Sequence, residues 1–365
     1  MRILVAGGGT GGHLIPALNI ARELRACHPD IDIVFVGTSR GIETELVPRE
    51  GFRLELLPVV PLSRKPSPSW IAFPFVLFKS IMKVVRLIRR EKIDIVVATG
   101  GYVAGPAILG SWLSGRPLVL CEQNSYPGLT SRVGSVFAKV VCTGLSGAEN
   151  FLWRKSRIVE TGNPVDIVCT ERSREEILQG FKLDPSKKTL LVTGGSQGSQ
   201  RINSAMLELL AEKAIPEGWS ILWQTGRGKH FGVLAEIDSV PENVAIVPFI
   251  SPMCEAYIAS DAVVCRCGAL TLSEIACYGV PAVLVPYPFA AGDHQRKNAE
   301  SFAEAGAGFV IEDAKLDGKR LSEELSKIID DEKNAKMSEN MRSLGRPEAT
   351  RNIVDIVEKF AGSNK

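Results

Sequence analysis

The sequence predicts an α/β protein built of two Rossmann-like domains with parallel sheets. Three observations carry this. Short apolar strands alternate with amphipathic helices along the 365 residues, the order that yields parallel sheets. A strand–glycine loop–helix opening, Arg2–Ala6 into Gly7-Gly8-Gly9-Thr10-Gly11-Gly12-His13, returns 187 positions later as Thr189–Val192 into Gly194-Gly195-Ser196-Gln197-Gly198-Ser199. Two copies of one opening mean two domains, not one long sheet. Between them, Gly and Pro punctuate the chain at Thr161-Gly162-Asn163-Pro164. The expected division is therefore 1–162, 163–343 and a terminal segment 344–365, in which Pro347 opens a last helix, Glu348–Phe360.

In the first half, Leu14, Leu18, Ala21 and Leu24 recur at helical spacing and give the first helix a buried face. Pro16 is tolerated in its first turn. Further strands are expected at Ile33–Val36, Arg53–Val59, Asp94–Ala98, Leu118–Cys121, Val140–Cys142 and Ile158–Glu160. Two more turns follow strands, Gly100-Gly101-Tyr102 and Glu122-Gln123-Asn124. All three loops thus share the carboxyl edge of one sheet, where ligands bind in such folds. A dinucleotide site is one reading of the first loop. The acid expected after the second strand is missing, because Ile33–Val36 runs into Gly37-Thr38-Ser39.

In the second half, strands are expected at Ser220–Gln224, Val244–Val247, Asp261–Cys265, Pro281–Pro286 and Phe309–Ile311. The stretch Cys265–Asn298 concentrates the polar loops: a turn at Gly268, a helix Thr271–Tyr278, a buried strand, and another helix from His294. Both loops open onto helix starts, whose free N–H groups can hold an anion or sugar hydroxyls. A gap between two such domains is the natural place for a ligand.

Composition excludes several classes. Net charge is +2, with 45% hydrophobic and 23% charged residues, which gives no global case for a nucleic-acid partner. The eight cysteines are scattered without zinc-ribbon spacing and read as reduced thiols. No apolar run reaches the ~20 residues of a membrane span.

Residues 63–90 stand apart. Trp70, Phe73, Phe75 and Phe78 cluster around Pro74, beside Arg64 and Lys65, ahead of an expected helix. Lys79, Lys83, Arg86 and Arg90 then form one stripe, with Leu77, Ile81, Val84, Val85 and Ile88 opposite. A packed helix with a solvated basic side explains the periodic part. Aromatics and cations on one protrusion point further, to an anionic bilayer surface.

Seven stretches in order, GGGTGGH (Gly7–His13), GGYVAGP (Gly100–Pro106), EQN (Glu122–Asn124), GNPV (Gly162–Val165), GGSQG (Gly194–Gly198), CGALTLSE (Cys267–Glu274) and DHQRKNA (Asp293–Ala299), span essentially the whole chain. In them it resembles the MurG family, the UDP-N-acetylglucosamine:muramyl-(pentapeptide) pyrophosphoryl-undecaprenol N-acetylglucosaminyltransferases of bacterial peptidoglycan synthesis. The resemblance implies a GT-B fold and an inverting transfer to the C4 hydroxyl of the lipid-linked acceptor, giving lipid II. It implies acceptor and membrane binding by the first domain, donor binding by the second, and a last helix that returns to the first. It implies a peripheral protein on the cytoplasmic side of the cell membrane, and no cofactor or metal. Asp30-Ile31-Asp32 has a D-x-D form but enters a strand of the wrong domain and reads as structural.

His13 begins a helix, where the dipole favours a neutral imidazole, and suits a general base; Glu122 is its rival. By resemblance, Thr10, Gly11, Gly12 and Asn124 face the donor, and Gly100, Gly101 and Tyr102 form the acceptor-diphosphate site. Ser196 would cradle the donor diphosphate, Ile250 read uracil by its main chain, and Gln295 and Asn298 bind sugar hydroxyls. Ala269, Leu270, Thr271, Leu272 and Ser273 would line the nucleotide-sugar. Thr271-Leu272-Ser273-Glu274 also has capping-box form, whereas the resemblance gives Glu274 to the ribose. Trp70, Phe73, Phe75, Phe78, Lys79, Lys83 and Arg86 would meet the membrane.

One departure matters. The family often carries Arg directly after GNPV, at the donor diphosphate; here the residue is Asp166. Arg172, Arg174 and the helix N-terminus alone are the candidates for its place, and the sequence assigns none of them. Other readings are a glycolipid-forming UDP-sugar transferase, a UDP-N-acetylglucosamine 2-epimerase, and a non-catalytic recruiting subunit.

Overall fold

The computed structural model describes residues 1–60, 69–167 and 170–362. The chain divides into two compact units, Met1–Val165 with Arg346–Lys365, and Asp166–Gly345.

The first unit holds β1 (Arg2–Ala6), β2 (Asp32–Gly37), β3 (Arg53–Leu56), β4 (Ile95–Ala98), β5 (Leu118–Glu122), β6 (Val140–Thr143) and β7 (Ile158–Glu160). They form one sheet in the order β3-β2-β1-β4-β5-β6-β7, every pairing parallel. The central strands β1, β2, β4, β5 and β6 are buried on both faces, as a parallel sheet requires, while the edge strands β3 and β7 are partly exposed. One face packs on Leu14, Leu18 and Leu24 of the helix Gly11–Cys27 and on Ile353, Val354 and Val357 of the last helix, Ala349–Gly362. The other packs on Val84, Leu87 and Ile88 of Ser69–Arg90 and on Ala104, Ala107 and Ile108 of Gly101–Leu113.

The second unit holds β8 (Lys188–Thr193), β9 (Trp219–Gln224), β10 (Val244–Val247), β11 (Ala262–Cys265), β12 (Ala282–Leu284) and β13 (Gly308–Val310). The order is β10-β9-β8-β11-β12-β13, again all parallel. In both sheets the chain reverses direction across the first strand, between β1 and β4 and between β8 and β11. That switch point opens a crevice at the carboxyl edge. The loops on it are the glycine loops themselves and those that begin at Thr99 and Arg266.

Several details differ from expectation. β3 stops at Leu56 rather than Val59, because Pro58 has no N–H to give a ladder. β12 is confined to Ala282–Leu284 between Pro281 and Pro286 for the same reason. The aromatics Trp70–Phe78 do not precede a helix but form its first turns, with Pro74 inside it; the proline forfeits one internal hydrogen bond without ending the helix. Arg64 and Lys65 lie outside the described residues. Six cysteines are free thiols, but Cys254 is disulfide-bonded. Asp32 of the D-x-D stretch faces Arg53 at 3.6 Å and Arg2 at 4.0 Å, at the amino end of β2, away from the loops.

The last helix is part of the first unit's core, although the whole of Asp166–Gly345 separates them in sequence: Ile353, Val354 and Val357 are wholly buried. Ile353→Ala should therefore lower unfolding free energy by about 2–5 kcal/mol, as measured by denaturant unfolding.

Candidate active site

The first glycine loop is organised by a residue that sequence reasoning missed. Glu43 is wholly buried. Its carboxylate accepts from Gly9 N at 2.9 Å, Thr38 N at 2.8 Å and Thr38 Oγ1 at 2.9 Å. Burial pushes its pKa up, but these bonds outweigh burial and hold it below the usual carboxylate range. A Cβ on Gly8, Gly37 or Gly41 would collide with that carboxylate. The glycines are therefore a shell around one buried charge. The cue in the sequence is Gly37, Gly41 and Glu43 in one short stretch after β2. Tyr102 closes the far side: its ring lies where a Gly9 side chain would be, and its hydroxyl is 3.3 Å from Thr38 Oγ1.

His13 stands third in the helix Gly11–Cys27, with Thr10 as N-cap. Its Nδ1 lies 3.0 Å from Thr99 O and 3.3 Å from Gln123 Oε1. A backbone carbonyl can only accept, so Nδ1 carries the proton and Nε2 keeps the lone pair. Gly100 (φ 96°) and Gly101 (φ 76°) lie against the imidazole, where any side chain would crowd the ring. Their left-handed backbone suits glycine.

At the end of β5, Glu122 is buried and turned away from His13. One oxygen accepts from Asn124 N at 3.0 Å and Asn124 Nδ2 at 3.1 Å, the other from Gly128 N at 3.3 Å. It organises the loop that carries Asn124. The residue that reaches His13 is its neighbour Gln123, whose side-chain nitrogen donates to Cys121 O and whose backbone carbonyl accepts from Asn163 Nδ2.

In the second unit, Ser196 is exposed at the tip of the loop after β8. It is not the N-cap. Ser199 is, accepting from Ile202 N. Ser199 Oγ also accepts from Arg266 Nη2 at 2.6 Å. Arg266 is largely buried, pairs with Asp313 at 2.6 Å and donates to Val285 O and Pro286 O. The helix Ala269–Tyr278 starts earlier than expected, with Gly268 as N-cap, so Thr271 and Glu274 form no capping box. Leu272 is buried and Leu270 and Thr271 half-buried, so the helix start offers backbone N–H groups. Glu274 instead accepts from Tyr257 Oη at 2.8 Å. Burial pushes its pKa up to about 7; the Tyr257 bond opposes the rise and nearby Asp166 adds to it.

Gln295 Oε1 accepts from Cys267 N at 3.2 Å and Tyr287 N at 3.0 Å, tying two loops together with its amide nitrogen left over. Asn298 is wholly buried and donates to Cys267 O. It supports the loop from behind rather than lining it. Ile250 N–H is committed to Gln224 Oε1 at 2.7 Å. Arg172 is paired with Glu255 and Arg174 with Asp261, so neither substitutes for the cation missing at Asp166. Among the described residues no cluster of three or more metal-binding side chains occurs.

The helix Ser69–Arg90 has three faces. Ile81, Val84, Val85, Leu87 and Ile88 are buried. Ile71, Phe75 and Phe78 are 79%, 76% and 65% exposed. Phe73 is half-buried and Trp70 exposed. Beside them, Lys79, Lys83, Arg86 and Arg90 line a groove of about 600 Å³. Lys83 donates to Leu56 O and Arg90 pairs with Glu55 and Glu91. An exposed group that sequence reasoning missed, Trp112, Leu113, Leu129, Val133 and Trp153, lies on the same unit. Among the described residues, no helix is long and apolar enough to cross a membrane.

Residues 3–143 match the glycosyltransferase family 28 N-terminal domain and residues 189–354 the family 28 C-terminal domain. A relative from Chlorobaculum tepidum is 41% identical over 364 residues, covering 98% of each chain. One from Desulforamulus reducens is 37% identical over 367 residues, covering 99% of each. Both are named UDP-N-acetylglucosamine–N-acetylmuramyl-(pentapeptide) pyrophosphoryl-undecaprenol N-acetylglucosamine transferase. The crystal structure of Acinetobacter baumannii MurG superposes with a TM-score of 0.79 at 29% identity, covering 98% of this chain and 99% of that one. A UDP-GlcNAc 2-epimerase from Neisseria meningitidis shares the fold at TM-score 0.66 and 16% identity, covering 98% of this chain and 100% of that one.

The raised Glu274 pKa has a stability consequence. The folded state retains a proton that the unfolded chain releases near 4.5, so stability falls as pH rises from there to about 7. Glu274→Gln should therefore gain stability over the parent at pH 8, on the order of 2 kcal/mol, and lose that advantage near pH 4.5, as read from paired melting curves.

Proposed function

The chain belongs to the MurG family of glycosyltransferase family 28, and from that premise we propose how its residues divide the reaction. It is an N-acetylglucosaminyltransferase. It moves N-acetylglucosamine from UDP-N-acetylglucosamine to the C4 hydroxyl of undecaprenyl-pyrophosphoryl-muramoyl-pentapeptide, converting lipid I to lipid II.

His13 is the general base. The observation that carries this is its Nδ1–H···O=C bond to Thr99, which leaves Nε2 free to take the proton of the attacking hydroxyl. Gln123 and Thr99 position the ring. Glu122 is a positioning residue for the Asn124 loop, since both its oxygens are engaged there. The Gly100–Gly101–Tyr102 turn, beside the imidazole, takes the acceptor diphosphate. Thr10, Gly11, Gly12 and Asn124 meet the donor sugar.

The second unit holds the donor. Ser196 and the helix that starts at Gln200 receive its diphosphate, where negative charge grows as UDP leaves. The Ile250 carbonyl accepts the uracil N3–H, because its N–H is already committed. Glu274 takes the ribose hydroxyls in its ionised form. The amide nitrogen of Gln295 and the helix start at Ala269–Ser273 hold the sugar, with Asn298 behind. The transfer is one displacement with inversion at the anomeric carbon.

The chain docks peripherally on the cytoplasmic face of the cell membrane through Trp70, Phe73, Phe75 and Phe78. Lys79, Lys83 and Arg86 lie against anionic head groups. What supports this is large aromatics left in solvent beside a cationic groove, an arrangement that suits a bilayer surface.

Two experiments test the reading. His13→Ala should cut kcat with lipid I by about 10²–10⁴-fold while leaving UDP affinity unchanged; retention of the parent rate removes His13 from the base role. Phe75→Ser with Phe78→Ser should abolish flotation with phosphatidylglycerol vesicles while preserving the melting temperature; undiminished flotation refutes docking by this helix.

A further inference from the structure

A leaving diphosphate needs positive charge, and the residues expected to supply it are engaged elsewhere. Asp166 has the wrong sign. Arg172 and Arg174 are paired with Glu255 and Asp261. Arg266 is neutralised by Asp313 and directs further donors to Ser199, Val285 and Pro286. Arg201 caps carbonyls at Asp313 and Ala314.

The loop after β9, Thr225-Gly226-Arg227-Gly228-Lys229, is different. It is locked to the loop after β8 through two glycines in the left-handed region, Gly198 (φ 68°) and Gly226 (φ 92°). A Cβ on Gly198 would strike the Thr225 carbonyl, and one on Gly226 would strike the Gln197 carbonyl. The loop so held carries two cations, Arg227 and Lys229. Lys229 Nζ donates to Gln197 O at 2.7 Å, one residue from Ser196. The Arg227 guanidinium lies 4.2 Å from the centre of the Phe249 ring, next to Ile250. Neither forms an ion pair with a carboxylate among the described residues.

We propose that Arg227 and Lys229 supply the positive charge that binds the diphosphate of the sugar nucleotide. Lys229 faces the phosphates across the Ser196 turn, and Arg227 joins the phosphate end of the site to the Ile250 strand end. This rests on the reading of the second unit as the donor unit. It accounts for a chain that functions with aspartate at position 166: the charge comes from the neighbouring loop.

The test is calorimetric titration of the full chain with UDP and, separately, with uridine, which lacks the phosphates. Arg227→Gln/Lys229→Gln should weaken UDP by tenfold or more, an electrostatic loss at a partly exposed site, and leave uridine within about twofold of the parent. Arg227→Lys/Lys229→Arg should restore most of the UDP affinity. If the double variant does not fold, Lys229→Gln alone should show the same selective loss, because its amine touches only one carbonyl. UDP affinity unchanged in a folded variant, or UDP and uridine falling together, overturns the proposal while leaving the donor reading intact. A parent protein that binds no UDP overturns both.

Discussion

Backbone brought closer to its neighbour than any side chain permits is the constraint on which both functional edges depend. In the first unit, Gly8, Gly37 and Gly41 enclose the Glu43 carboxylate, and Gly100 and Gly101 lie against His13. In the second, Gly198 and Gly226 let two loops touch main chain to main chain. Each contact forms just past the carboxyl end of a strand, on the edge where the switch points between β1 and β4 and between β8 and β11 also lie. There the polar main chain is already gathered, and removing side chains lets it converge.

Convergence has an electrostatic side. A buried carboxylate without partners would protonate or destabilise the fold. Glu43 stays ionised because Gly9 and Thr38 donate to it. In return it holds Gly9 in the left-handed region (φ 83°). Glu274 is the opposite case. Its surroundings offer one hydroxyl, from Tyr257, and one nearby acid, Asp166. Burial outweighs that hydroxyl and keeps its pKa raised, and on the proposed reading ribose hydroxyls would favour its ionised form. One carboxylate has its charge stabilised by its neighbours, while the other has its charged form disfavoured by burial.

Much of this was legible in the sequence. Both glycine openings, the two parallel-sheet domains they imply and the polar turns after β4 and β5 follow from local patterns that packing did not override. The limits of β3 and β12 were missed at Pro58, Pro281 and Pro286, because hydrophobic runs continue to residues that cannot complete a ladder. The helix begins at Ser69, ahead of the aromatics rather than after them, because Pro74 is accommodated within its early turns. Partners distant in sequence were the real loss. Nothing local marks Glu43 as the anchor of Gly9, or Gln123 rather than Glu122 as the neighbour of His13. These depend on which way side chains leave a strand end, and one residue of register reverses the answer. The same limit left Arg172 and Arg174 as candidates, since their pairing with Glu255 and Asp261 is a tertiary fact.

On the proposed assignment of His13 as general base, its surroundings constrain what kind of base it is. In a serine-hydrolase triad, a carboxylate on Nδ1 stabilises the imidazolium that forms. Here Nδ1 meets two neutral oxygens, Thr99 O and Gln123 Oε1. The only carboxylate close in sequence, Glu122, is turned toward Asn124 and Gly128. Neutral acceptors fix the tautomer and the ring but stabilise its cation less. Such a base suits a nucleophile whose proton leaves late. Displacement at an anomeric carbon has that character, because positive charge builds on the sugar before the new bond is complete, and the hydroxyl becomes acidic only as it bonds. On that reading much of the barrier falls on the departing diphosphate, and the cations proposed to hold it would matter to the rate alongside the imidazole.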